Sequence, residues 1–163
     1  MLHMAFNVVH PAANLVPKVI STFTRSAVYH CELMFNDGTT VTSIPKKGVS
    51  FHERRFDRYR WIFLPLPWIN YLESQEILEE AKGLVGAKYD WAGALIGGIW
   101  SSAQNPHKWF CSELCAHLLR PYTPPLQIGS WISPDELWRL CSEYLSEQRP
   151  EYDEMWKFRY HAK

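Results

Sequence analysis

The hydrophobic period of the chain changes at Pro67, and this change restricts the fold more than any other feature of the sequence. Before it, short runs rich in β-branched and aromatic residues alternate with turn signals, which is the pattern of strands. Residues 18–24 (KVISTFT), 27–35 (AVYHCELMF), 39–44, 49–54 and 60–66 are such runs. Asn36-Asp37-Gly38 is a hairpin signal, and Pro45-Lys46-Lys47-Gly48 marks the next turn. Residues 1–17 hold two prolines and no clear period, and read as an irregular lead-in or a strand with a loop.

After Pro67 the apolar residues recur at three and four. Asn70 and Glu73 have capping-box spacing ahead of Ile77, Leu78, Ala81, Leu84 and Val85, and Gly86 closes that helix. A second helix starts at Cys111, buries Leu114, Cys115, Leu118 and Leu119 on one face, and ends at Pro121. A third opens with Ser133 as N-cap, Pro134 at the first helical position and Glu136 at the third. Its buried stripe is Leu137, Leu140, Cys141, Tyr144 and Leu145. Residues 87–108 form a long Gly-rich connection. Strands followed by helices, with no repeat or linker, predict one α+β domain over residues 1–163. Its antiparallel sheet of about five strands packs against the helix that carries Cys111.

Composition excludes several partners and groups. Seventeen basic residues balance seventeen acidic ones, so no overall electrostatic footprint for nucleic acid or an anionic membrane is present. Cys31, Cys111, Cys115 and Cys141 match no zinc template, and with 47% apolar residues the chain needs no disulfide framework. Free thiols, no metal and no cofactor are the expectation. The first six residues lack the basic and apolar regions of a signal peptide, so synthesis in the cytoplasm without a leader is expected. The longest apolar patch, residues 91–100, is too short to span a bilayer. It reads as a buried packing segment or as a lipid-facing wall.

A cysteine at a helix start meets unpaired N–H groups and the positive end of the macrodipole, which favour the thiolate. In strand 27–35, alternation puts Val28, His30, Glu32 and Met34 on one face and Tyr29, Cys31 and Leu33 on the other. His30, Glu32 and Cys111 can therefore supply base, orienter and nucleophile. A two-residue turn centred on Asp37 and Gly38 would set Ser43 opposite Glu32, on the His30 face; a three-residue loop would bring Thr42 there instead. Cys31 on the opposite face, and Cys115 and Cys141 on helix core stripes, are not candidate nucleophiles. Asp90, Glu113 and His117 read as structural or solvated.

Three motifs in order carry a family resemblance: Tyr29-His30-Cys31-Glu32-Leu33, then Gly86-Ala87-Lys88-Tyr89-Asp90-Trp91-Ala92-Gly93, then Phe110-Cys111-Ser112-Glu113-Leu114. Together they resemble the circularly permuted branch of the NlpC-type papain-like cysteine hydrolases, which includes YiiX/YaeF-like and lecithin-retinol-acyltransferase-like proteins. The resemblance implies a permuted papain-like fold with Cys111 as nucleophile and His30 as its base. Glu32 would be the third catalytic residue, with Ser43 as rival, and Tyr89 would contact the oxyanion or substrate. The implied reaction is amide hydrolysis through an acyl-enzyme, with peptidoglycan stem peptides as the first substrate class. That suits a phage lysis protein or a secreted antibacterial effector, delivered to the periplasm of a target cell by a secretion machine or by lysis. An immunity or secretion-apparatus protein would then be a partner. Acyl-ester or lipid hydrolysis, or acyl transfer, is the alternative reading, and a non-catalytic binding protein on the same fold is the second.

Overall fold

Met4, Ala5 and Phe6 are all fully buried, which is why the N-terminal strand shows no alternation in the sequence. The structure is a computed structural model describing residues 1–8, 27–53, 55–57, 60–91, 107–127 and 132–152. In it β1 (His3–Val8) is an interior strand, not a lead-in. It lies antiparallel between β2 (Val28–Met34) and β5 (Trp61–Pro65). With β3 (Thr39–Ile44) and β4 (Gly48–Glu53) these make a five-stranded antiparallel sheet in the order β4-β3-β2-β1-β5. The strand expected at 18–24 and most of the patch at 91–100 lie outside the described residues.

Among the described residues three α-helices follow. Asn70 caps α1 (Tyr71–Leu84): its side chain accepts the Glu73 N–H at 3.1 Å while the Glu73 carboxylate accepts the Asn70 N–H at 2.8 Å. The other two, α2 (Cys111–Leu119) and α3 (Pro134–Gln148), pack on β2. The Ser133 hydroxyl caps α3 by accepting the Glu136 N–H at 3.1 Å. Leu33 of the sheet and Leu114, Leu118 and Leu137 of the helices are all fully buried in the resulting core. Among the described residues no helix is long and apolar enough to cross a membrane.

The β2–β3 hairpin turns on three residues, Asn36-Asp37-Gly38, with Gly38 at φ 84° and the Phe35 N–H donating to the Thr39 carbonyl at 2.8 Å. The register is Leu33 to Val41 and Met34 to Thr40. Extending it sets Thr42, not Ser43, on the Glu32 face; the two-residue reading is thereby corrected. Pairing of β2 with β3 covers only those two positions, whereas β3 continues against β4 as far as Ile44 with Gly48. The strands therefore part beside His30 and Cys31. On the other side of β2, Asn7 pairs with His30 and Val8 with Val28, so Tyr29 is the extra residue of a bulge.

The β3–β4 turn is fastened to the connection after α1. The Val49 N–H donates to the Ala87 carbonyl at 2.8 Å, and the Gly86 N–H donates to the Val49 carbonyl at 3.0 Å. Beyond Ala87, β6 (Lys88–Tyr89) pairs in parallel with β7 (Lys108–Trp109). Gly48 permits this approach: it sits at φ 68°, and a Cβ there would lie 2.0 Å from the Ala87 oxygen. Gly38 has nothing within 4 Å of such a Cβ. Gly38→Ala is therefore expected to lose about 1 kcal/mol from left-handed backbone strain alone. Gly48→Ala should lose about 3 kcal/mol or more, because strain and backbone collision add. Urea unfolding midpoints of the two variants test this, and equal losses would refute the close-approach account.

Candidate active site

The start of α2 is fixed from three directions. The Phe110 N–H donates to Glu113 Oε2 at 3.0 Å. Phenylalanine has no acceptor to return the bond, so half of a capping box forms. The Ser112 hydroxyl donates to the Ile132 carbonyl, tying the helix start to the approach to α3. The Ser43 hydroxyl donates to the Trp109 carbonyl at 2.7 Å, tying it to β3. The first i to i−4 bond of the helix runs from the Leu114 N–H to the Phe110 carbonyl. The N–H of Cys111 thus precedes the ladder and points out of the helix end.

Onto this helix start the parted strands bring His30. Its Nε2 shares a hydrogen bond with Glu32 Oε1 at 3.0 Å, and the Trp61 ring meets the imidazole edge-on with centroids 6.1 Å apart. The Glu32 side chain is fully buried, the His30 side chain is 15% exposed, and Cys111 is 1% exposed. Burial opposes charge on both cysteine and histidine, but their mutual attraction wins. Burial alone would raise the Cys111 pKa. Hydrogen bonding from the Cys31 side chain, the charge and hydrogen bond of His30, and the Cys31 backbone bring it down to about 5. Burial alone would lower the His30 pKa. The Cys111 charge and hydrogen bond, then the hydrogen bond and charge of Glu32, raise it to about 10.

Cys31 is the participant that sequence reasoning missed. Its side chain belongs to the helix-facing side of β2, where its sulfur lies 3.8 Å from Cys115. Because the opening between β2 and β3 receives the end of α2, both its backbone and its thiol also reach the Cys111 sulfur. One S–H proton cannot serve Cys115 and Cys111 together, and the charged acceptor makes the stronger bond. Burial, followed by these sulfur neighbours, pushes the Cys31 thiol well above its ordinary range, so it stays a protonated donor. Only the contact across the strand opening could have revealed it; strand alternation does not.

The other expected residues separate clearly. Ser43 spends its hydroxyl on Trp109 and does not serve His30. Thr42 donates to the Cys31 carbonyl at 2.8 Å, bracing β2 where the ladder has ended. Tyr89 packs edge-on against Phe110, centroids 6.0 Å apart; burial first, then the Cys111 charge, holds its hydroxyl protonated. Asn7, opposite His30 on β1, buries its amide oxygen without a hydrogen-bond partner. Glu113 acts structurally as the Phe110 cap; burial and the Asp90 and Cys111 charges raise it to about 7 against the Phe110 hydrogen bond. His117 pairs with Glu80 at 2.9 Å on the helix surface. All four cysteines are free thiols. Among the described residues no group of three His, Cys, Asp or Glu side chains is placed to share a metal ion.

The pKa directions fix a pH window. Cys111 is lowered, so its thiolate forms above about 5; His30 is raised, so its proton persists to about 10. The ion pair thus exists between those limits. Ultraviolet thiolate absorbance is expected to rise with a midpoint near 5, in a component absent from Cys111→Ser. Cys31→Ala should move that midpoint upward; a wild-type midpoint in the ordinary thiol range would refute the pairing. No protein-family model matches this chain, and no curated protein matches it at a significant level.

Proposed function

We propose that this chain is a cysteine hydrolase of the permuted papain-like kind, acting on an amide bond. One observation carries the reading. The His30 imidazole, held by Glu32 at 3.0 Å, and Cys111 at the start of a helix shift each other's pKa toward the imidazolium and the thiolate. Glu32 occupies Nε2, so in this reading Nδ1 is the ring nitrogen that serves the sulfur. A thiolate–imidazolium pair with an oriented ring is both a nucleophile and a stored proton for the leaving group.

The reaction follows from these parts. The Cys111 thiolate attacks the acyl carbon, and the carbonyl π electrons move to oxygen. The oxyanion meets the Cys111 N–H at the helix end, with the protonated Tyr89 hydroxyl as a second donor. Collapse breaks the C–N bond, and the departing amine takes the proton from His30. A thioester on Cys111 and a neutral imidazole remain. Water then gives a proton to His30 and attacks the thioester, releasing the carboxylic acid and restoring the ion pair. Glu32 touches no substrate atom in this scheme; it holds the ring and favours its charged form.

Peptidoglycan stem peptides are the first substrate class, on the resemblance of the His30, Tyr89 and Cys111 motifs, and delivery to a periplasm belongs to the same proposal. Digestion of purified peptidoglycan beside a panel of lipid esters tests it. The expected products are peptide fragments with one new amine and one new carboxyl terminus. Cys111→Ala should reduce turnover by at least about a thousandfold. Glu32→Gln, which keeps an acceptor but removes the charge, should reduce kcat/KM by about ten- to a hundredfold. It should also pull the alkaline limb of the pH profile below about 10. Ester cleavage alone would move the reading to acyl-ester chemistry. Inactivity on both panels would leave a binding protein.

A further inference from the structure

The two connections joined at Gly48 and Ala87 also form the sides of a groove of about 440 Å³. Lys46, Lys47, Lys88, Tyr89 and Trp91 line it. Lys108 stands in register with Lys88 on the parallel pair, and both line an adjoining cavity. Like charges side by side on neighbouring strands repel. Among the described residues no carboxylate pairs with any of these four lysines. Asp90 lies between Tyr89 and Trp91 in the chain, yet it is not part of the groove wall, and its charge acts on Glu113 and Tyr89. A chain with seventeen charges of each sign has thus gathered unpaired positive charge in one place.

Three further observations make this a built feature. The sides are held by backbone hydrogen bonds between Val49 and Ala87 and between Gly86 and Val49, so the lysine-bearing segments keep their spacing. Lys46, at φ 73°, is the only non-glycine residue with positive φ among the described residues. Glycine would hold that turn without strain; with lysine there, the same turn places a cationic side chain in the groove wall. Finally, Trp91 is 48% exposed and meets Tyr89 edge-on, centroids 5.1 Å apart. Tyr89 also meets Phe110, the residue before Cys111. A run of aromatic contacts therefore leads from the groove to the residue beside the nucleophile.

We propose that this groove binds an acidic segment of a peptide substrate, with carboxylates on the lysines of both sides and the peptide chain lying across Trp91. The ammonium groups are distributed along two segments, which suits several spaced carboxylates better than one phosphate, and among the described residues no arginine lines the groove. The role in turnover rests on the hydrolase reading; binding does not.

The test uses full-length Cys111→Ala and calorimetric titration with two short peptides, one carrying two or more Asp or Glu residues and one with the matching amides. The acidic peptide should bind at least about tenfold more tightly at low salt, and added salt should erase most of the difference. Lys47→Gln/Lys88→Gln in the same background should remove the preference while melting at the same temperature as its parent. Equal binding of the two peptides, or an unchanged preference in the lysine variant, would overturn the proposal. Tighter binding to vesicles containing anionic phospholipid than to the acidic peptide would also overturn it. If the acidic preference is found and Cys111-competent protein cleaves neither peptide, the groove stands and the hydrolase reading fails. Cleavage of both peptides at equal kcat/KM would sink the groove and leave the hydrolase.

Discussion

The structure depends on keeping charge inside a protein core. Cys111, Cys31 and Glu32 are almost completely buried, and His30 is nearly so. A lone ion in such a place would shed its charge, because losing hydration costs several kcal/mol that the interior does not return. The ions persist here only as a set. Thiolate and imidazolium offset each other, Glu32 accepts from the imidazolium, and the thiol and backbone of Cys31 favour the charged sulfur. Removing one member leaves the rest uncompensated, so stability and reactivity are tied at this point. Since Cys111 comes from α2 and the other three members are consecutive residues of β2, the set requires β2, α2 and the turn between β2 and β3 to be placed together.

The sheet meets that requirement by being incomplete. A fully paired β2–β3 ladder would close the space beside His30 and Cys31. Two paired positions and a three-residue loop leave it open, and the first turn of α2 reaches the gap. Ser43 and Thr42 then replace ladder bonds with side-chain bonds, one to the Trp109 carbonyl and one to the Cys31 carbonyl. These two hydroxyls keep buried backbone oxygens satisfied where the strands separate. On the far side of β2, the bulge at Tyr29 bends the strand beside His30. The parting of the strands and the bulge both lie beside His30 and Cys31, and the Ser43 bond falls two residues before Cys111.

Much of this could be read in the residues. The helix caps at Asn70 and Ser133, the strands from β2 to β5 and the facing of His30 with Glu32 follow from local patterns that depend only on neighbouring residues. What resisted reading depends on long-range placement. β1 is buried on both faces, so alternation, the only sequence signal of a half-buried strand, is missing from it. The hairpin register turned on whether Asn36 belongs to the loop, and one residue of slip exchanges Ser43 for Thr42. The basic groove was hidden by a net charge of zero, because charge totals say nothing about which lysines meet.

Cys31 shows most plainly why alternation has limits. The period of two assigns a side chain to one face or the other, on the assumption that the sheet continues past it. Where a strand leaves its neighbour, an edge appears, and a group placed in that edge is in reach of residues from both faces. Cys111 occupies such a place, so His30 and Cys31 serve it although they are adjacent in sequence. Glu32 makes the arrangement necessary. Thiolate, imidazolium and carboxylate together carry one net negative charge, and its compensation has to come from neutral donors. Burial that would penalise the thiolate also keeps the Cys31 thiol protonated. The same desolvation therefore supplies a donor that stays available across the range in which Cys111 is charged.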